Sequence, residues 1–557
     1  MAADRAQEGE ESDMDKFGAA RIAALAAVMA LAVVACGSST DTSTVSASTA
    51  HGTLAEDPPL RIASLDAAAF KENLSASSAG AELIQLAGAP TCGVDFYYIK
   101  FWTVGGAKEV TESSGALMVP TGAAPICSGP RPILLYAHAT QTDKLANIAD
   151  ITDPNNSEGA DIAATFAAQG YIVVAPNYAG YDISTLGYHP YLDAQQQSGE
   201  MLDALAAART ALPHTFASAT TDSGQLFIAG YSEGGHVAVA TLKVLEASGT
   251  TVTAAAGGSG PYALEALGDA IMFGNVDIGS TVFSPLVTTS YQHEYGDIYS
   301  TPSDIYTSTY ASGIDTLLPS ATPIDTLFAE GKLPETFLFD IDTPTVTVPG
   351  NAMLSAALTA ALQEPPPTSS PEAPIFDLGF GTPYLLNDSV RVDWALDAAS
   401  DPDGEDSGLT GIAPAPTLAP APPSYPWRNA FYQNDMRHWW GLLAPSAPLL
   451  MCGGENDPEV FFSVDTLTMA AYWSGVPTVS TLDVDPASGP SGSYAAIQAA
   501  FQSSEATELA YLQTPAGGSL SAEEAEIDVV EGYHAAVAPF CALAMRAFFS
   551  NFTGAGS

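Results

Sequence analysis

Between residues 92 and 262, two kinds of apolar run alternate along the chain. Residues 95–102 (DFYYIKFW) are aromatic and strand-like, and 114–120 (SGALMVP) predict a second short strand. Residues 131–138 (RPILLYAH) and 171–176 (YIVVAP) are unbroken apolar runs, as expected of strands buried on both faces of a parallel sheet. Residues 158–169 are Ala-rich and stop at Gly170, and 193–212 place Met201, Leu205, Ala208 and Leu212 on one helical face. A strand follows at 225–229 (QLFIA), then a helix at 237–247 and a strand at 252–256. Strands alternating with helices predict an α/β fold: a mostly parallel sheet with helices on both faces.

The rhythm stops after Tyr262. Residues 263–445 are rich in Tyr, Thr, Ser, Pro and Asp, with proline clusters at Pro365-Pro366-Pro367 and 413–426. A strand returns at 447–452 (APLLMC), a helix at 466–473, a strand at 479–484 and a closing helix at 535–552. The chain thus divides into a first core segment, 61–262, and a second, 446–557. The stretch 263–445 between them is too long for an ordinary connection and is expected to form a cap or lid.

Residues 22–35 (IAALAAVMALAVVA) form an apolar run too short to span a bilayer comfortably, flanked by Lys16 and Arg21. They fit the apolar region of an export signal covering residues 1–36, with Met14 the expected initiator because the preceding stretch is acidic. Val33-Val34-Ala35-Cys36 resembles the processing site of bacterial lipoproteins, which implies a lipid on Cys36 and a flexible Ser/Thr-rich tether over 37–60. The expected location is outside the cytosol, either on the outer membrane or cell surface as a lipoprotein or secreted.

Composition narrows the partners. The chain has 557 residues, 47% of them hydrophobic, which is ample for a core. Its 16 Lys+Arg against 63 Asp+Glu give a net charge of −47. That surface repels phosphate backbones, excludes nucleic acid as a partner, and leaves a lipid anchor as the only expected membrane contact. Of the five cysteines, Cys36 is set aside for lipid, leaving Cys92, Cys127, Cys452 and Cys541, an even number suited to an oxidising compartment.

The strongest chemical signal is Gly230-Tyr231-Ser232-Glu233-Gly234, a G-x-S-x-G lying between a predicted strand and a predicted helix. A sharp strand-to-helix turn exposes the serine hydroxyl, and its glycines permit close backbone approach. Ser232 is therefore the candidate nucleophile. The chain order that goes with such a turn is Ser, acid, His. His534, just before the closing helix, is the candidate base, and Asp457, in the GGENDP turn after strand 447–452, is the candidate orienting acid, with Glu455 and Asp483 as rivals. The expected oxyanion donors are the backbone N–H of Glu233 and one from the loop after 131–138, at Ala139 or Thr140. His138 is expected to be structural, and His236, one turn along the helix from Ser232, to pack. A Cys452–Cys541 bridge would tie the strand presenting Asp457 to the helix after His534, and Cys92–Cys127 would staple the first strands.

His138-Ala139-Thr140, GYSEGG, GGENDP and Gly532-Tyr533-His534 together resemble the α/β-hydrolase superfamily. Residues 177–182 (NYAGYD) with His189-Pro190-Tyr191 are similar to its secreted bacterial and fungal lipase-like members. The likeness spans 92–262 and 446–552 and leaves out the insertion. It departs at Ala139, where the family usually has Gly. It implies an esterase or lipase working through an acyl-enzyme, without cofactor or metal, on lipid or polymeric esters, polyesters included. Phe461, Phe462, Trp439 and Trp440 are candidates for the acyl pocket. A peptidase of the same fold would need a cap carboxylate for a substrate amine, such as Glu294, Asp304 or Glu330. A catalytically inert surface-binding lipoprotein is the non-enzymatic alternative. The acidic run Asp401-Pro402-Asp403-Gly404-Glu405-Asp406 lacks calcium-loop spacing and is expected to be a solvated loop. Oligomeric state is not read from the sequence.

Overall fold

The computed structural model describes residues 51–153, 156–217, 219–362, 373–403 and 422–553. The expected export signal, Cys36 and the triple proline lie outside the described residues.

Nine strands form one sheet: β1 (Leu60–Leu65), β2 (Gly93–Val104), β3 (Val110–Thr121), β4 (Gly129–Ala137), β5 (Ile172–Pro176), β6 (Thr220–Tyr231), β7 (Ala254–Gly258), β8 (Leu449–Gly453) and β9 (Val479–Asp483). Their order is β1-β2-β3-β5-β4-β6-β7-β8-β9. The edge strands β1, β2 and β3 run antiparallel, and β5 through β9 pair in parallel. The unbroken apolar runs now have a cause. On β4, Leu134 and Tyr136 enter the core on one face of the sheet, while Ile133, Leu135 and Ala137 enter the core on the other. Side chains of period two must be apolar at every position when both faces are covered. Helices Ser157–Thr165 and Tyr533–Ser550 contribute to the first core, and Ala194–Ala211 and Glu233–Ala247 to the second.

Between β7 and β8 the described residues contain no named strand. They form eight α-helices, from Leu264–Met272 and Ser280–Tyr295 to Pro426–Asn434 and Met436–Trp440. The insertion has its own apolar core, in which Trp394 meets Trp427 and Phe431 edge to face, and Tyr191 and Leu192 join it from the sheet domain. Among the described residues no single helix is long and apolar enough to cross a membrane.

Three local expectations change. Part of the tether is ordered: Gly52 N–H donates to Trp102 O, Ala55 N–H to Lys100 O, and Trp102 N–H to Thr53 O, so residues 52–55 line β2. Asp403, expected in a solvated loop, is fully buried. The closing helix starts earlier than its apolar pattern suggests, so His534 occupies its first turn instead of a preceding loop.

Both disulfides have the expected pairing, Cys92–Cys127 and Cys452–Cys541, the latter joining β8 to the last helix across 89 residues. Closing a loop of that length restricts the unfolded chain by about 4 kcal/mol. The paired change Cys452→Ser and Cys541→Ser is expected to lower unfolding free energy by up to that amount in urea titrations. Where β6 turns into its helix, a Cβ on Gly234 would lie 2.0 Å from the carbonyl oxygen of Ala137. Backbone cannot swing aside as a flexible side chain can, so Gly234→Ala is expected to cost about 3 kcal/mol in the same titration.

Candidate active site

Ser232 sits at the tip of β6, where the strand enters helix Glu233–Ala247. Its backbone has φ 55° and ψ −124°, a conformation that a non-glycine residue holds only under constraint. That constraint is visible: Ser232 N–H donates to Gly258 O at the end of β7, and Gly235 N–H returns to Ser232 O. The hydroxyl therefore stands over the first amides of a helix, where the macrodipole favours negative charge.

Asp457 lies in the turn after β8. Its Oδ1 accepts from the backbone N–H groups of Glu459 and Val460, at 3.0 and 3.1 Å. The remaining oxygen, Oδ2, accepts the Nδ1–H of His534 at 2.8 Å, with both residues buried. This bond fixes the ring's tautomer and leaves Nε2 as the acceptor nitrogen. That Nε2 is buried and has no hydrogen-bond partner among the described residues. His534 is also held from the serine side. Tyr231, the residue before Ser232, donates its hydroxyl to His534 O, and the two rings lie 5.1 Å apart. The rivals for the acid role stand apart from this bond: Glu455 is exposed, and Asp483 accepts the backbone N–H groups of Glu455 and Asp485.

The residue after the serine is anchored from behind. The buried Glu233 carboxylate accepts from His189 Nε2 at 2.7 Å and from Gln197 Nε2 at 2.5 Å. His189 donates its other ring N–H to Ala179 O at 2.9 Å. The NYAGYD and HPY segments thus meet behind the turn and hold Glu233 at the start of its helix. The Glu233 N–H is the helix's first amide, one of those with no intrahelical acceptor. The second donor position differs from expectation. Ala139 N–H points to the Glu158 carboxylate, 3.1 and 3.2 Å from its two oxygens, and so is already taken. Thr140 remains, and its hydroxyl is 3.2 Å from that of Tyr191. His138 stacks on Tyr178 at 4.1 Å and is structural. His236 packs in the core, donates to Asn434 O, and is pushed down to about 4 by burial.

A cavity opens beside Ser232. Its walls include Tyr191, Leu264, Leu267, Ile271, Phe283 and Val287, mostly supplied by the insertion. Phe461, Phe462, Trp439 and Trp440 do not line it. Phe461 packs against Phe376 and Trp440 against Trp473, the half-buried Trp439 lies against the second core, and Phe462 is buried beside Gly453. None of the three cap carboxylates suggested for amine binding is in the cavity wall: Glu294 is half-buried, Glu330 and Asp304 are exposed, and Asp304 caps a short turn. Two carboxyls absent from the sequence reading do reach the cavity, Asp277 and Glu459. Glu459 directly follows the Asp457-Pro458 pair, so the polar turn was the available signal. Its Oε2 is 3.8 Å from His534 Nε2. Burial lowers the basicity of the imidazole, but the charges of Asp457 and then Glu459 outweigh it and raise His534 to about 9. Burial pushes Glu459 up from the usual carboxylate range, and the facing imidazolium opposes that shift. Asp277, also pushed up by burial, accepts the hydroxyl of Ser280.

No family model matches the chain, and no curated protein matches it. Solved structures do. LipA from Xanthomonas oryzae, described as a rice cell wall degrading esterase, is 24% identical, with 78% of this chain and 91% of that chain covered and a TM-score of 0.56. A protein of Legionella pneumophila described as a hydrolase is 17% identical, with 89% and 98% covered and a TM-score of 0.58. Together with the nine-stranded sheet, these likenesses establish an α/β-hydrolase fold carrying a large insertion.

Proposed function

We propose that the protein is a serine carboxylic-ester hydrolase, of esterase or lipase type, working through an acyl-enzyme. The observation that carries this reading is the 2.8 Å Asp457–His534 hydrogen bond, which leaves Nε2 without a hydrogen bond among the described residues, while the His534 backbone accepts the hydroxyl of Tyr231, the residue before the strained Ser232. His534 Nε2 takes the Ser232 proton as Oγ attacks the ester carbonyl carbon. The carbonyl oxygen becomes negative and is met by the N–H groups of Glu233 and Thr140. Each such donor acts only on charge that develops in the transition state, at about 3–4 kcal/mol. The imidazolium returns its proton to the departing alkoxide. Water then repeats the sequence on the acyl-enzyme and frees the acid.

The apolar cavity favours a hydrocarbon acyl group, and an esterase among the structural relatives agrees with ester chemistry. Lipids and polymeric esters are the substrate class. The two disulfides and the run at 22–35 support export, with lipid on Cys36 as the membrane anchor. A second reading, hydrolysis of a peptide near its free amine, is favoured by one observation: the carboxyls of Asp277 and Glu459 sit in the cavity wall.

Ser232→Ala is expected to reduce hydrolysis of p-nitrophenyl acyl esters by at least about a thousandfold with unchanged circular dichroism, and to abolish labelling by a fluorophosphonate. Near wild-type turnover would remove the assignment. Aminoacyl anilides assayed alongside separate the two readings: faster cleavage of the anilides would select the peptidase.

The base acts only when neutral, so kcat/KM is expected to rise with pH until the imidazolium is lost at about 9. Glu459→Gln removes a charge that favours the imidazolium, so the rise should move to lower pH. An unmoved profile would show that Glu459 does not face the working base.

A further inference from the structure

The insertion buries an excess of negative charge. Glu265, Asp269, Asp397, Asp403 and Asp435 are all buried, against three buried guanidiniums, Arg391, Arg428 and Arg437, of which Arg391 donates to the backbone carbonyls of Met272 and Leu362. Most of these groups are paired. Arg428 donates to Asp269 at 2.8 and 3.0 Å and to Asp397 at 3.2 Å. Arg437 donates to both oxygens of Asp435 and to Asp403 Oδ2, at 2.9, 2.6 and 2.7 Å. What remains is specific. Among the described residues Asp403 Oδ1 has no hydrogen bond, and neither does His438 Nε2. Both Glu265 oxygens also lack one, although Arg428 Nη2 lies 3.0 Å from Oε1 and His438 Nε2 lies 3.4 Å from Oε2. One ligand-type atom from each of Glu265, Asp403 and His438 lies within 4.8 Å of the other two.

We propose that Glu265, Asp403 and His438 hold a divalent metal ion of the zinc type. Glu265 and Asp403 are completely buried; Asp403 Oδ1 has no hydrogen bond among the described residues and the Glu265 oxygens have only their ion-pair contacts with Arg428 and His438, and a cation shared among them offsets the cost of that burial. The excess of buried carboxylates over guanidiniums asks for positive charge at this place. One imidazole and two carboxylates suit zinc, with a fourth position open to water. Calcium is disfavoured, because it takes six to eight oxygens. The ion would join three separate pieces of the insertion: helix Leu264–Met272, the turn after helix Asp388–Ser400, and helix Met436–Trp440. The first of these also carries Leu264, Leu267 and Ile271 in the cavity wall beside Ser232, so the metal would brace that wall. The proposal stands on the cluster alone and does not require the hydrolase reading.

The test uses the full chain, expressed with zinc in the medium. Mass-spectrometric metal analysis is expected to find about one zinc per chain after gel filtration. Stripping with EDTA should lower the melting temperature by several degrees, and adding zinc alone should restore it. His438→Gln and Asp403→Asn should each lose the bound zinc and the EDTA response; the two variants guard against one failing to fold. A metal-free protein whose melting temperature ignores both EDTA and zinc would overturn the proposal and leave a proton shared between Glu265 and His438. Restoration by calcium but not zinc would overturn the nitrogen ligand, and unchanged zinc content in both variants would place the metal elsewhere.

Discussion

The hydrogen bond between Asp457 and His534 is where the tertiary structure converges. It joins a turn after β8 to the first turn of the last helix, 77 residues apart in sequence. A buried carboxylate is costly unless its oxygens are satisfied. Here two backbone N–H groups and one imidazole N–H accomplish that. Each partner therefore depends on the other: removing the ring strands a carboxylate, and removing the carboxylate frees the ring to turn. The surrounding structure holds the two ends at bonding distance. The Cys452–Cys541 disulfide ties β8 to the helix, and Tyr231 grips the backbone of His534 from the end of β6.

Around that bond the molecule separates two tasks. Sheet and flanking helices set the serine, the imidazole and the carboxylate, and stiffen them from behind through Glu233, His189 and Gln197. The insertion supplies most of the apolar wall. Only a few groups cross between the two, among them Tyr191, which lines the cavity, lies in reach of the Thr140 hydroxyl and packs near Phe283.

Much of this was legible in the chain because the relevant signals are local. Unbroken apolar runs marked the parallel strands, and G-x-S-x-G between a strand and a helix marked the turn at Ser232. The turn after β8 and the histidine near the last helix followed from chain order. What was not legible depends on long-range packing. Strand β1 is largely exposed and irregular in its pairing, so its pattern is weak. Nothing in the local sequence says that Ala139 N–H will meet Glu158, nineteen residues away, or that Phe461 turns into a core while Phe283 faces the cavity. Glu459 and Asp277 look like ordinary surface acids until the fold half-buries the first and buries the second near His534. Asp403, in a run of acids and a glycine, reads as solvent-facing for the same reason.

The insertion leaves the sheet after β7 and returns at β8, and these two strands are hydrogen-bonded neighbours. Its points of departure and re-entry are therefore fixed by one ladder, whatever lies between them. Such an arrangement tolerates drift: the helices over the cavity can be lengthened, shortened or recoloured in sequence while the ladder beneath keeps its register. The cavity wall and the Ser232, Asp457 and His534 positions are thus carried mostly on separate stretches of one chain.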